Sequence, residues 1–244
     1  MLVEAKIYAT MFPLFHKQKT VIKAQQMIDL HMHTFFSDGE LIPSELLQRA
    51  RAAGYTAMAI TDHADSSNIE HILTNIVKFV NDIQGHTDIT VIPGVELTHV
   101  QPSLIPHCVK LSRKFGAKIV AVHGETVVEP VAPGTNRAAI EAGVDFLAHP
   151  GLIAEEDALL ASEKGIYLEL TTRRGHSLTN GHVARLAQLY RANLILNTDS
   201  HSPGDLLSQS LRRAVIRGSG LNDAEMEKVL KNSADLVESI LQKQ

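Results

Sequence analysis

The chain has 244 residues, a formal net charge of −4 and a single cysteine, Cys108. The small negative charge and the scattered Lys and Arg residues argue against an extended nucleic-acid surface or a surface for anionic membranes. One cysteine excludes intramolecular disulfides and every zinc site that needs paired thiolates. Any bound metal must therefore use His and carboxylate ligands.

The composition also favours one folded domain. Hydrophobic residues make up 44% of the chain, which is enough to bury a full core, and no Pro/Gly/Ser-rich linker divides it. We therefore predict a single domain over residues 27–244, preceded by an N-terminal extension of residues 1–26. No apolar run reaches the length of a membrane span, so we expect a cytoplasmic protein without a membrane partner.

From residue 27 onward, short apolar runs alternate with helical patterns, which predicts repeated β/α units around a parallel sheet. Such units either close into a barrel or stay open and doubly wound. The predicted strands are Met27 to Leu30, Thr56 to Ile60, Ile89 to Ile92, Ala117 to Val122, Val144 to Ala148, Ile166 to Leu170 and Asn193 to Leu196.

The segments between the runs carry helix signals. The first predicted helix opens at Pro43 and is closed by Gly54. A later one, with an apolar stripe from Val183 to Tyr190, has Thr179 or Asn180 placed to cap it. A last capped helix follows residues 221–225, and we expect it to close the bottom or side of the barrel.

Potential ligands follow six of the seven predicted strands. In the segment His31-Met32-His33, two histidines one residue apart on a strand point to the same side, so they can share one metal. The other strand ends carry His63, Glu96, His123, His149, Asp199 and His201. Barrel enzymes collect their active-site groups at the C-terminal ends of many strands, so this distribution favours the barrel.

Convergence of so many imidazoles and carboxylates would oppose folding without a compensating ion. The pattern therefore predicts a metal site. Imidazole and carboxylate ligands without thiolate favour zinc, manganese or iron over calcium or copper(I). Glu96, one carboxylate among many imidazoles, is well placed to bridge two ions, and paired ions are typical of phosphate-ester hydrolysis.

Five segments in order, DLHMHTFFSDG, AITDH, GVEL, AHP and NTDSH, resemble the motifs of the polymerase-and-histidinol-phosphatase (PHP) superfamily from about residue 27 to residue 235. The resemblance implies a distorted (β/α)7 TIM-like barrel. It is strongest to stand-alone histidinol-phosphate phosphatases and to the PHP domain of bacterial family X polymerases, because no long insertion follows Thr61-Asp62-His63.

The same resemblance implies two or three divalent ions and assigns their ligands. His31, His33, Glu96 and Asp199 would bind the first ion. Glu96 would also bridge to a second ion at His123 and His149, and a third would be held by Asp38, His63 and His201. A small phosphomonoester would bridge the ions and be attacked by a metal-bound hydroxide, with Asp199, His201 and Glu96 as the catalytic residues.

Candidate substrate residues lie after the sixth strand. Arg173 or Arg174 is expected to clamp the phosphate, and the sequence does not choose between them. His176 shares their loop and is a weaker candidate for contact with the leaving group, a surface histidine being the alternative.

Three other functions remain open. The first is a PHP-type phosphoesterase acting on nucleotides or oligonucleotides. The second is an amidohydrolase-type C–N hydrolase, which also begins with H-x-H but usually has a lysine where this chain has His123. The third is a non-catalytic metal-binding module, which the filled ligand positions disfavour. The sequence does not define the oligomeric state.

Overall fold

The computed structural model describes residues 26–242. The predicted extension of residues 1–26 therefore lies outside the described residues, apart from Gln26. The assignment of one domain to residues 27–244 stays a prediction.

Within residues 26–242, seven parallel strands form a nearly closed barrel, with each strand beside the next in chain order. They are β1 Met27–Asp29, β2 Tyr55–Ile60, β4 Thr90–Leu97, β5 Ile119–His123, β6 Phe146–Ala148, β7 Tyr167–Thr171 and β8 Leu194–Asn197. A two-residue strand, β3 His63–Ala64, pairs with the end of β4. The predicted distorted (β/α)7 barrel is confirmed. Its strand β4 continues beyond the predicted end at Ile92, so Glu96 lies on the strand itself.

Eight α-helices surround the barrel in the described part of the chain. They are α1 Pro43–Ala52, α2 Ile69–Ile83, α3 Ile105–Lys114, α4 Thr135–Ala142, α5 Glu155–Lys164, α6 Asn180–Tyr190, α7 Gln209–Gly218 and α8 Asp223–Gln242. Helix α1 begins with a proline at a position where its missing N–H removes no helical hydrogen bond. Among the described residues, no helix is both long enough and apolar enough to cross a bilayer.

The two capping predictions have different outcomes. Thr179 occupies the N-cap position of α6 as predicted, but its side chain makes no capping hydrogen bond. Asn180 instead accepts a hydrogen bond from Thr171 N and donates one to Thr171 O, which fixes the end of β7. Helix α8 is capped as expected, because Asn222 and Glu225 exchange reciprocal side-chain to backbone hydrogen bonds.

The barrel is distorted at the seam between β1 and β8. In residues 26–242 these strands are joined by a single bridge beyond their ends, between Met32 and Ser200. Side chains close the rest of the gap. Leu30 N donates to Asn197 Oδ1 at 2.9 Å, and the buried Arg212 of α7 donates to the carbonyl oxygens of Ile28 on β1 and Leu196 on β8.

The lower interior of the barrel is apolar, and α8 covers it. Alternate strand residues meet there because successive side chains on a strand point to opposite faces. This cluster comprises Ile28, Leu30, Ala57, Ala59, Ile92, Ile119, Ala121, Phe146, Ala148 and Ile195, joined by Ala234, Leu236, Val237 and Ile240 of α8. The expectation that the last helix closes the bottom of the barrel is confirmed.

We predict that Ile240→Ala will destabilise the protein by about 2–5 kcal/mol, because it leaves a cavity where α8 closes the barrel. The matched control is Leu241→Ala, whose side chain is 42% exposed and should cost about 0.5 kcal/mol or less. Urea unfolding of both metal-free variants measures the difference. Equal effects would contradict this role of α8.

Candidate metal centre

The upper interior of the barrel is polar. Its side chains point inward from the same strands as the apolar layer below, at later positions of the two-residue alternation. Strands β4, β5 and β7 present Glu96, His123 and Glu169 above it, and Asp199 follows β8 in the same phase. All four side chains are buried. The strands therefore bring together charged groups that would be costly without mutual compensation.

The two histidines of the H-x-H segment lie side by side just beyond β1, with ring centroids 5.0 Å apart. His31 Nδ1 lies 2.8 Å from Glu169 Oε1. A carboxylate at Nδ1 fixes the ring and leaves Nε2 for a metal, as is usual for ligating histidines. Asn197 Nδ2 donates to the same oxygen of Glu169 at 2.8 Å.

The spacing of the first predicted ligand group fits one ion. Ligand atoms about 2.1 Å from an ion lie about 3.0–3.4 Å apart at octahedral or tetrahedral angles. His31 Nε2 lies 3.4 Å from Glu96 Oε2 and 3.6 Å from Asp199 Oδ1. His33 Nε2 lies 3.7 Å and 3.1 Å from the same two oxygens.

The second predicted group adjoins the first through shared carboxylates. His149 Nε2 lies 3.4 Å from the other oxygen of Glu96, Oε1, and 3.5 Å from Asp199 Oδ2. The ring of His123 stands edge-on to that of His149, with centroids 4.4 Å apart. Glu96 Oε1 thus faces His149, whereas Oε2 faces His31, His33 and His63. A bridging ligand requires two oxygens directed to different imidazoles in this way.

The third predicted group lies at the mouth of the barrel. Asp38 Oδ1 lies 3.2 Å from His201 Nε2 and 3.5 Å from His63 Nε2. The turn that carries Asp38 is held by Asp62, whose carboxylate accepts hydrogen bonds from Thr34 and Ser37. The tight turn requires glycine at position 39, since a Cβ there would lie 2.5 Å from the backbone oxygen of His33.

Several of these groups have no hydrogen-bond partner despite complete burial, which would cost free energy in the absence of an ion. The atoms are His31 Nε2, both ring nitrogens of His33 and His149, Glu96 Oε1 and Asp199 Oδ1. His149 and Asp199 also have positive φ angles, 26° and 55°, a strained conformation that is common at functional sites. The donor set and its geometry fit divalent metal ions.

The protonation of the site couples to metal binding. Burial and the neighbouring His63 lower the pKa of His33 to about 3, so this ring is neutral as a ligand must be. Burial also opposes charge on His31, but the carboxylates of Glu169, Glu96 and Asp199 outweigh it and raise its pKa well above the ordinary value. An entering ion must displace that proton, so metal affinity falls as the pH falls.

The three candidate substrate residues, Arg173, Arg174 and His176, differ in burial and in contacts. Arg173 is partly buried, and its Nη1 lies 3.6 Å from Asp205 Oδ2 in the loop after β8. Arg174 is exposed. His176 is buried rather than on the surface, and its ring lies 4.3 Å from that of His149.

Two carboxylates near the imidazoles escaped the sequence analysis. Glu169 interrupts an otherwise apolar strand, which is a signal that could have identified it. Glu129 lies in the loop after β5, with its oxygens 3.2 Å from His123 Nε2 and 3.3 Å from His176 Nε2. Nothing in its local sequence points to the site.

Comparison with known proteins identifies the family. The PHP domain family matches residues 29–239, so the chain belongs to this family and is a metal-dependent hydrolase by membership. It is also 48% identical over 204 residues to the uncharacterized protein MJ1295 of Methanocaldococcus jannaschii. That match covers 83% of this chain and 94% of the relative.

Two solved structures share the fold at low identity. A chain of archaeal ribonuclease P, determined with mature tRNA, has a TM-score of 0.68 and 17% identity, covering 87% of this chain and 90% of that one. Histidinol phosphate phosphatase from Lactococcus lactis, solved with zinc, L-histidinol and phosphate, has a TM-score of 0.57 and 16% identity, covering 81% and 95%.

We predict that Glu169→Gln will weaken metal binding by roughly 10- to 100-fold, because the amide no longer holds His31 as a carboxylate does. Titration of zinc against a chromophoric chelator measures the affinity. Glu163→Gln, at an exposed position on α5, is the control. Equal zinc affinity in both variants would show that Glu169 does not orient the ligand.

Proposed function

We propose that this protein is a metal-dependent phosphoesterase that hydrolyses a small phosphomonoester, in the manner of histidinol-phosphate phosphatases. The observation that carries the proposal is Glu96, whose two oxygens face two groups of buried imidazoles. Such an arrangement suits paired ions, which are typical of phosphate-ester hydrolysis. Family membership supports it, as does the likeness to a phosphatase solved with zinc and phosphate. We also propose that it acts in the cytoplasm.

Each residue group has a proposed part in the reaction. His31, His33, Glu96 and Asp199 would hold one ion, His123 and His149 a second, and Asp38, His63 and His201 a third, the metal being zinc, manganese or iron. When bound, these ions would neutralise phosphoryl oxygens and lower the pKa of an attacking water. Asp199 faces both buried groups, so it is placed to accept the proton of that water. His201, at the mouth, would face the substrate.

Arg173 is the proposed phosphate clamp. Its guanidinium is directed towards Asp205, which accepts hydrogen bonds from the backbone N–H groups of His201 and Ser202. Arg173 therefore lies beside the loop that carries His201. A guanidinium there can make paired hydrogen bonds to phosphate oxygens. The exposed Arg174 has no such placement.

A second candidate is a role in an RNA–protein assembly, because the archaeal ribonuclease P chain is similar over 87% of this chain. The net charge of −4 weighs against an extended RNA surface. A nucleotide is a further possible substrate, because it is a small phosphoester, as in the first candidate, and a component of RNA, as in the second. Phosphate release from a small phosphoester, compared with tRNA binding by the same preparation, distinguishes the possibilities.

We expect metal-loaded protein to release phosphate from histidinol phosphate or from a member of a nucleotide and sugar-phosphate panel. Asp199→Asn should lower turnover by at least roughly 10- to 100-fold, since loss of a direct ligand costs no less than loss of an outer partner. The control is Asp88→Asn, whose side chain is 68% exposed. Absence of phosphate release from every phosphoester tested, with metal confirmed bound, would contradict the phosphatase assignment.

We predict that Arg173→Ala will lower kcat/KM by about 10- to 100-fold, because it removes charged hydrogen bonds to the phosphate. Arg174→Ala, the neighbouring exposed arginine, should change kcat/KM by less than about 2-fold. Steady-state kinetics on the best substrate of the panel measures both. Similar losses in the two variants would mean that the loop as a whole, rather than Arg173, contacts the substrate.

A further inference from the structure

We propose that the second metal site is larger than the resemblance implies, with His176 as an additional ligand of the ion at His123 and His149 and Glu129 as its carboxylate on the solvent side. The inference rests on the metal-dependent site of the proposed function and concerns which residues hold one of its ions. It reassigns His176 from the leaving group of the substrate to the metal.

The three imidazoles form a compact buried group. One ring nitrogen from each of His123, His149 and His176 lies within 4.8 Å of the others. The ring centroid of His176 is 4.3 Å from that of His149 and 5.7 Å from that of His123. Their exposed fractions are 2%, 2% and 6%. Three imidazoles at this spacing match the ligand sets of divalent transition metals.

Several ring nitrogens in this group lack the hydrogen-bond partners that buried nitrogens normally have. Both ring nitrogens of His149 and Nδ1 of His176 are buried without a hydrogen-bond partner. A bound ion would satisfy Nε2 of His149, and an unpaired buried nitrogen costs about 1–3 kcal/mol. Nδ1 of His176 points away from the Nε2 that faces Glu129, so His176 would hold the ion through Nε2.

Glu129 supplies negative charge to the same group. Its Oε2 lies 3.2 Å from His123 Nε2, and its Oε1 lies 3.3 Å from His176 Nε2. These separations fall within the range of 3.1–3.7 Å between neighbouring ligands in the first group. The side chain is 38% exposed, so the carboxylate lies between the buried rings and solvent.

Packing between two loops holds Glu129 and His176 together. Glu129 belongs to the loop after β5, and His176 to the loop after β7. Gly175 has φ of 89°, and a Cβ there would lie 3.2 Å from Val128. The glycine thus permits close approach of the two loops, one residue away from each proposed ligand.

A measurement without substrate tests the proposal. Wild-type protein, His176→Ala, His176→Gln and Glu129→Gln are stripped with a chelator, refilled with zinc, passed through a desalting column and analysed by mass spectrometry for zinc per chain. Competition with a chromophoric chelator gives the affinity of each ion. The control is His107→Ala, because His107 is an exposed histidine of α3 and lies outside the buried group.

We expect the His176 and Glu129 variants to lose one zinc per chain or to bind it at least roughly 10-fold more weakly, and His107→Ala to match wild type. Thermal unfolding of the metal-free proteins identifies any variant that does not fold. His176→Gln keeps a polar side chain of similar size and decides the matter if His176→Ala fails.

Other results would contradict this proposal or the proposed function. Wild-type zinc content and affinity in folded His176→Gln and in Glu129→Gln would overturn the proposal, and a raised KM in the same variants would return His176 to the substrate. A wild-type protein that binds zinc but hydrolyses no phosphoester would remove the proposed function while leaving this test intact. A wild-type protein that binds neither zinc nor manganese nor iron would overturn both.

Discussion

The carboxylate of Glu96 is the group on which the rest of the site depends. It is fully buried, and its two oxygens face His31 and His33 on one side and His149 on the other. A buried carboxylate persists only where its charge is compensated. Without an ion, that compensation comes from protonated imidazoles, which lower the pKa of Glu96 well below its usual range despite burial. Divalent ions at these positions would provide the same compensation and would also satisfy unpaired ring nitrogens.

The barrel supplies this arrangement through its seam as much as through its strands. Asn197 accepts from Leu30 N across the gap between β1 and β8, and its amide nitrogen donates to Glu169. Glu169 in turn lies against His31 Nδ1. The hydrogen bonds that close the barrel are thus continuous with those that orient a ligand. Because α8 seals the opposite end with apolar side chains, the candidate ligands lie at the end that carries the loops after the strands.

Short-range patterns in the sequence predicted most of the strands and the pairing of His31 with His33, whereas the (β/α)7 barrel and the full first ligand group were implied by the family resemblance. Alternating apolar runs located the strands, and the spacing of His31 and His33 placed two rings on one side. The contacts that could not be predicted are those between residues that are far apart in the sequence and meet only in the folded protein. Glu129 meets His123 and His176 where the loops after β5 and β7 pack together, with Gly175 at their contact. The difference between Arg173 and Arg174 likewise arises from the position of Asp205, more than thirty residues away.

The most direct measurement of the central claim is anomalous X-ray scattering from crystals of metal-loaded protein, recorded on both sides of the absorption edge of the bound metal. The account predicts one anomalous peak on each side of Glu96, between His31 and His33 and beside His149, with a third between Asp38 and His201 if the mouth site is filled. Anomalous density absent from both sides of Glu96, in protein saturated with zinc, manganese or iron, would contradict it.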